Sequence, residues 1–143
     1  MSLKFTILGC GSSLGIPRID GYYGKCDANN KKNVRSRCSA LIRSKNLNIL
    51  IDTSPDLKSQ LLANKVKNID KVFYTHDHAD QTHGINELRV FSLKNRKKIP
   101  IYADLITKKS LTNTFAYCFK DYKNYPSILE AKTLKNKHIL NDI

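Results

Sequence analysis

The stretch "YTHDHADQTHGI" (Tyr74–Ile85) gathers three of the chain's four histidines, with Asp77 and Asp80 among them. Its first residues close "KVFYT", which reads as a short buried strand running directly into the histidines. In an extended segment, side chains at i and i+2 point the same way. His76 and His78 are therefore expected to converge on one side, and Asp80 continues the alternation as a carboxylate. Two imidazoles and a carboxylate are donors that zinc accepts, and a catalytic zinc site keeps one position open. The plainer alternative is a polar loop whose histidines cap the next helix.

Working outward, the pattern alternates between strand and helix. Leu3–Leu8 reads as a first strand. "CSALIRS" and "LNILIDT" read as a hairpin across Lys45-Asn46. "SPDLKSQLLANK" reads as a helix capped by Ser54, with Pro55 in its first turn and Leu57, Leu61 and Leu62 on one face. Val72–Thr75 is the strand that carries the histidines. A helix is expected from about Gly84, burying Ile85, Leu88 and Phe91. "IPIYA" is a further strand, and Asp104 caps a helix that turns Leu111, Phe115, Cys118 and Phe119 inward. Beyond Tyr125-Pro126 the pattern weakens. The order is that of a layered α/β domain, and 143 residues make a single domain the natural expectation.

Several other segments resolve into simpler readings. "GCGSSLG" begins as a dinucleotide fingerprint, but Leu14 stands where the third glycine belongs and Pro17 interrupts the helix; it reads as a tight loop near a site. "DTSPD" fails as a calcium loop, with Leu57 and Ala63 at positions that need glycine and glutamate. "KFTILGC" resembles a lipoprotein cleavage site, yet its apolar run is too short for a signal and reads as a strand. No run approaches the ~20 apolar residues of a membrane span. Cys10, Cys26, Cys38 and Cys118 include no Cys-x-x-Cys pair and read as reduced thiols of a cytoplasmic protein. The formal charge is +13. Nineteen of the 25 basic residues are lysines, scattered along the chain. Scattered lysine gives unselective attraction to polyanions rather than a dedicated nucleic-acid face.

"THDHADQTHG" resembles the H-x-H-x-D-H signature of the metallo-β-lactamase superfamily. Together with "GCGSSLGIPR", "RSRCS", "LIDTSPDL" and "HGINELR" it is similar to the phosphoribosyl 1,2-cyclic phosphate phosphodiesterase branch, over Leu3 to about Leu134. The resemblance implies the N-terminal half of an αββα sandwich, a mixed twisted sheet with flanking helices. It also implies that His76 and His78 bind a first metal, that Asp80 binds a second and orients the attacking water, and that Asp52 supports the site. The chemistry implied is hydrolysis of a small phosphodiester, with one or two ions, zinc or manganese, neutralising the developing charge.

Two departures from that pattern set further expectations. Gln81 occupies the signature's last histidine, a second-metal ligand, and offers only a neutral amide oxygen; His83 is the candidate substitute. Family members also continue into a second half carrying further ligands, whereas the remaining histidine here, His138, reads as a surface residue. The expectation is a truncated, weakly active or inactive metallo-hydrolase. Its alternatives are a non-catalytic remnant, one subunit of a split enzyme whose C-terminal half is separately encoded, and a transfer-RNA 3′-processing nuclease-like phosphodiesterase.

Overall fold

The computed structural model describes residues 3–136. His138 lies outside the described residues. Six strands form one sheet in sequence order: β1 (Lys4–Gly9), β2 (Ser39–Arg43), β3 (Asn48–Ile51), β4 (Lys71–Phe73), β5 (Ile99–Ala103) and β6 (Leu129–Thr133). β1, β2 and β3 pair antiparallel, whereas β3 through β6 run parallel. The change of direction falls where helices begin to connect the strands, because parallel neighbours need a crossover. This is the expected mixed α/β sheet.

Among the described residues the α-helices are α1 (Leu57–Ala63), α2 (Ala79–Thr82), α3 (Arg89–Asn95), α4 (Leu105–Thr114) and α5 (Ala116–Phe119). A 3-10 turn at Ile85–Leu88 leads into α3. Register places Leu41, Leu50, Val72 and Ile101 side by side across neighbouring strands. All four are fully buried, in one core with Leu57, Leu61, Ile85, Leu88 and Leu111. Each such side chain contributes about 1.5–3 kcal/mol of transfer free energy. That core fixes β4, and β4 fixes the histidine loop.

Several local expectations are corrected. The helical segment expected from about Gly84 is present as the 3-10 turn and α3, burying Ile85, Leu88 and Phe91. A short separate helix, α2, precedes it, so the extended geometry ends at His78, whose φ and ψ are −65° and 152°. Helix α1 starts at Leu57 rather than Ser54; the Ser54 hydroxyl instead accepts from the Asp56 N–H at 3.1 Å. Leu62 is 69% exposed. At about 100° per residue it stands well away from the Leu57–Leu61 stripe. Phe115 and Phe119 pack only partly against the core, because the helix breaks between α4 and α5. Strand β6 lies where the sequence pattern weakened.

Gly84 has a steric reason. A Cβ there would collide with the Ser54 carbonyl oxygen, and the Gly84 N–H donates to the Thr53 carbonyl at 2.8 Å. The residue lets the segment after the histidines close directly onto the β3–α1 connection. Gly9 and Gly11 do the same for the first loop, against the Arg37 and Arg35 carbonyl oxygens.

Candidate metal centre

The parallel strand β4 ends at Phe73, and the Tyr74 N–H extends the ladder by one bond to the Tyr102 carbonyl, 2.8 Å. Tyr74 is buried, and its hydroxyl pairs with Thr53 Oγ1 at 2.8 Å. The chain that follows is therefore held at its base and free at its tip. There His76, His78 and Asp80 each offer a ligand atom, and these atoms lie within 4.8 Å of one another. The two imidazole rings meet edge-on, with centroids 4.6 Å apart. His76 and Asp80 are half-buried and His78 is exposed. Asp80 reaches the histidines from the first turn of α2 rather than by strand alternation.

The donor set fits a divalent ion. Zinc–donor bonds of about 2.0–2.2 Å give tetrahedral donor–donor edges of roughly 3.3 Å, so a contraction of at most about 1.5 Å from the 4.8 Å limit brings all three to one ion. Small side-chain rotations, freest at the exposed His78, supply such a movement.

Asp52 lies behind the loop. It is buried and has a left-handed backbone, φ 58°. Its carboxylate accepts from the Thr75 N–H and from the Thr75 hydroxyl, each at 2.8 Å. The same hydroxyl lies 2.9 Å from His76 Nδ1. A hydroxyl has one proton. Given to Asp52, it leaves Thr75 Oγ1 to accept from Nδ1–H, and the Nε2 lone pair of His76 is then free for a metal. Such hydrogen bonds behind a ligating histidine fix its tautomer and ring orientation. Burial pushes the Asp52 carboxyl above its usual range, opposed by the two bonds from Thr75.

Gln81 and His83 divide in their placement. Gln81 is buried, and its side-chain nitrogen donates to Asp80 Oδ2 at 2.8 Å. His83 packs edge-on against Phe115, with centroids 5.4 Å apart and its Nδ1 3.1 Å from Thr82 Oγ1. It is not in the group of donors formed by His76, His78 and Asp80. Sequence reasoning missed Thr75. Its only signal was a hydroxyl residue immediately before the first histidine. It also missed the forked Arg37–Asp56 pair, at 2.7 and 2.9 Å, which ties the approach to β2 to the start of α1.

Parallel strands end in a His-x-His-x-Asp loop, with an aspartate that follows the preceding strand behind it. The family model described as beta-lactamase superfamily domain matches residues 47–138, and the chain belongs to the metallo-β-lactamase superfamily.

A solved diphosphatase from the PhnP family is 28% identical, with a TM-score of 0.80 over 97% of this chain and 53% of that one. Zn(2+)-bound PqqB from Methylobacterium extorquens shares the fold at 16% identity and a TM-score of 0.70, over 99% of this chain and 49% of its own. Human tRNase Z, short form, does so at 20% and 0.61, over 90% and 44%. An octanoyltransferase of Porphyromonas gingivalis (strain ATCC BAA-308 / W83) is 29% identical over 119 residues, 82% of this chain and 24% of that protein. The chain thus spans about half the length of these solved structures and about a quarter of that relative.

Proposed function

We propose that this chain is the histidine-bearing part of a metal-dependent hydrolase acting on a small phosphodiester. The observation that carries the reading is the convergence of His76, His78 and Asp80 within 4.8 Å at the end of a parallel strand. The resemblance to a PhnP-family diphosphatase supports a phosphorus-centred reaction. The octanoyltransferase match covers 24% of that protein and so assigns acyl transfer to no residue of this chain.

In this mechanism a divalent ion, zinc or manganese, supplies Lewis-acid polarisation of a phosphoryl oxygen and lowers the pKa of water. The chain's own residues do the rest. Thr75 holds the His76 ring with Nε2 unprotonated. Asp80, steadied at Oδ2 by Gln81, keeps its other oxygen beside the two histidines, where one lone pair would hold the ion and the other would accept a hydrogen bond that orients the attacking water. Positive charge elsewhere is lysine-rich and gives salt-sensitive, unselective attraction to polyanions, with no specific nucleic acid expected.

A partner is part of the proposal. The sheet face away from the helices opens as an apolar concavity of about 640 Å³ whose lining includes Ile42, Ile49, Ile51, Phe73 and Thr75. Phe5 and Ile7 are exposed on the edge strand beside it. An apolar surface of this kind marks an interaction site, and a second layer supplied by a separately encoded half suits it. The alternative, a non-catalytic remnant, shares the same face and differs in turnover. No described helix is long and apolar enough to cross a membrane, and the free thiols of Cys10, Cys26, Cys38 and Cys118 suit the reducing cytoplasm.

The test is to load the purified chain with zinc or manganese and assay bis(p-nitrophenyl) phosphate, with and without a separately expressed second half. The expected result is slow or no turnover alone and metal-dependent turnover on mixing, abolished by His76→Ala. Turnover that survives His76→Ala would remove the histidine cluster from the chemistry.

A further inference from the structure

The orientation of one buried amide bears on how many ions the site takes. We infer that His76, His78 and Asp80 form a site for a single divalent ion, and that Gln81 is the residue that positions Asp80 in it. The inference rests on the metal-site reading above.

A glutamine side chain has two unlike ends. Its oxygen can accept a hydrogen bond or a cation; its NH₂ group can only donate. Ionised Asp80 can only accept. The end of Gln81 that faces Asp80 Oδ2 at 2.8 Å is therefore the nitrogen, because an oxygen there would set two acceptors against each other. A donor aimed at the carboxylate is no ligand for a second ion. It occupies one of the two carboxylate oxygens and leaves the other for the ion shared with the histidines.

Gln81 is also held in place by its main chain. Its N–H donates to the His78 carbonyl at 3.0 Å, and its carbonyl accepts from the Thr53 N–H at 2.7 Å. Thr53 and Thr82 beside it are fully buried. Carrying the residue toward a second ion would break these bonds in a packed environment. His83, the other candidate, is turned onto Phe115. Among the described residues, the three donors already within 4.8 Å are the group able to hold a metal.

The role assigned to Gln81 is orientation. Asp80 sits in the first turn of α2, and without a fixed partner its carboxylate would sample rotamers that face solvent. Hydrogen bonds from a neighbouring residue to a ligating carboxylate typically change metal affinity by about 10–100-fold when removed.

The experiment is a Co²⁺ titration of the full chain, followed by calorimetry and by its visible absorption, with Zn²⁺ competition for affinity. Wild type should saturate at one ion per chain. Gln81→Met keeps the length of the side chain and removes the donor. It should weaken binding about tenfold or more and alter the Co²⁺ spectrum, with the metal-free melting temperature changed little. His76→Ala should abolish binding.

Two ions per chain in wild type would overturn the single-ion inference while leaving the metal reading intact. Affinity and spectrum unchanged in Gln81→Met would remove Gln81 from the site. Should Gln81→Met lower the metal-free melting temperature substantially, Gln81→Glu serves in its place. It keeps the shape, sets two carboxylates together, and must change the Co²⁺ spectrum if the amide orients Asp80. No binding at all by wild type would instead sink the functional reading itself.

Discussion

The two faces of the sheet are made of similar residues and meet different fates. On one face Leu41, Leu50, Val72 and Ile101 lie in register, fully buried beneath the helices. On the other, Ile7, Ala40, Ile51, Phe73 and Tyr102 form an equally continuous row. Phe73 and Tyr102 stack there with ring centroids 4.8 Å apart. Ile51 and Phe73 are only half-buried and Ile7 is 65% exposed. A sheet with one wet face alternates apolar and polar residues. This one does not, so its sequence is that of a sheet covered on both sides. The candidate metal site sits where the faces meet: Thr75 lines the open concavity and also holds His76.

The largest effect should come from the covered face. Leu50→Ala removes a fully buried side chain from the centre of the core. Substitutions of this kind destabilise by about 2–5 kcal/mol, measured by urea unfolding of the metal-free chain. A loss below about 1 kcal/mol would mean that this face is packed as loosely as the other, and the contrast between them would collapse.

The rim should respond more gently and in a different observable. Thr75→Val keeps the shape of the side chain and removes the hydroxyl shared by Asp52 and His76. Zinc affinity should fall by about tenfold or more, with little change in the zinc-independent unfolding midpoint. Unchanged affinity would show that the His76 tautomer is set by something other than Thr75.

These outcomes bear on what the sequence could disclose. The hairpin, the buried β4 and the His76–His78–Asp80 grouping were legible, because each rests on local spacing: period two in the strands and adjacency in the loop. Strand β6 was not, since "LEAKT" carries few apolar residues and is a strand by pairing with β5. Leu62 was misplaced because three leucines in six positions suggest a stripe that helical geometry does not close. The orientation of Gln81 lay beyond the sequence altogether. The same glutamine is a poor ligand or a good orienting group depending on which end faces Asp80, and its side chain stands beside that carboxylate in a turn whose main chain is tied to Thr53, distant in the chain.

A third measurement concerns what keeps the helix layer seated. Arg37 grips Asp56 with paired bonds of 2.9 and 2.7 Å, and both side chains are about 70% buried. The pairing holds the Asp56 carboxyl below its usual range. An acid whose pKa is lowered in the folded state contributes stability above its unfolded pKa and loses it as pH falls through the lower folded value. Arg37→Ala should therefore cost about 1–2 kcal/mol at neutral pH. Its deficit relative to wild type should shrink on acidification below the ordinary aspartate pKa near 3.8. A deficit that is flat down through that range would assign the loss to packing of the arginine stem.

The smallest effect on stability should come from the open face, and it is the one that separates an interface from a poorly made core. Ile7 lies on β1, the edge strand, and is 65% exposed. Replacing it with lysine removes little buried area, so Ile7→Lys should change unfolding free energy by less than about 0.5 kcal/mol. Charged residues on an edge strand oppose strand addition and association, so the variant should self-associate less in sedimentation runs at high concentration. It should also bind the second half more weakly, if that half covers this face. Both consequences follow from one cause: the apolar row is exposed in the chain alone and would be covered in the proposed assembly. A large drop in the stability of Ile7→Lys would mean that the row is already covered within this chain. Unaltered stability together with unaltered association would leave it a surface without an occupant, and the comparison of the two faces would then carry no information about a partner.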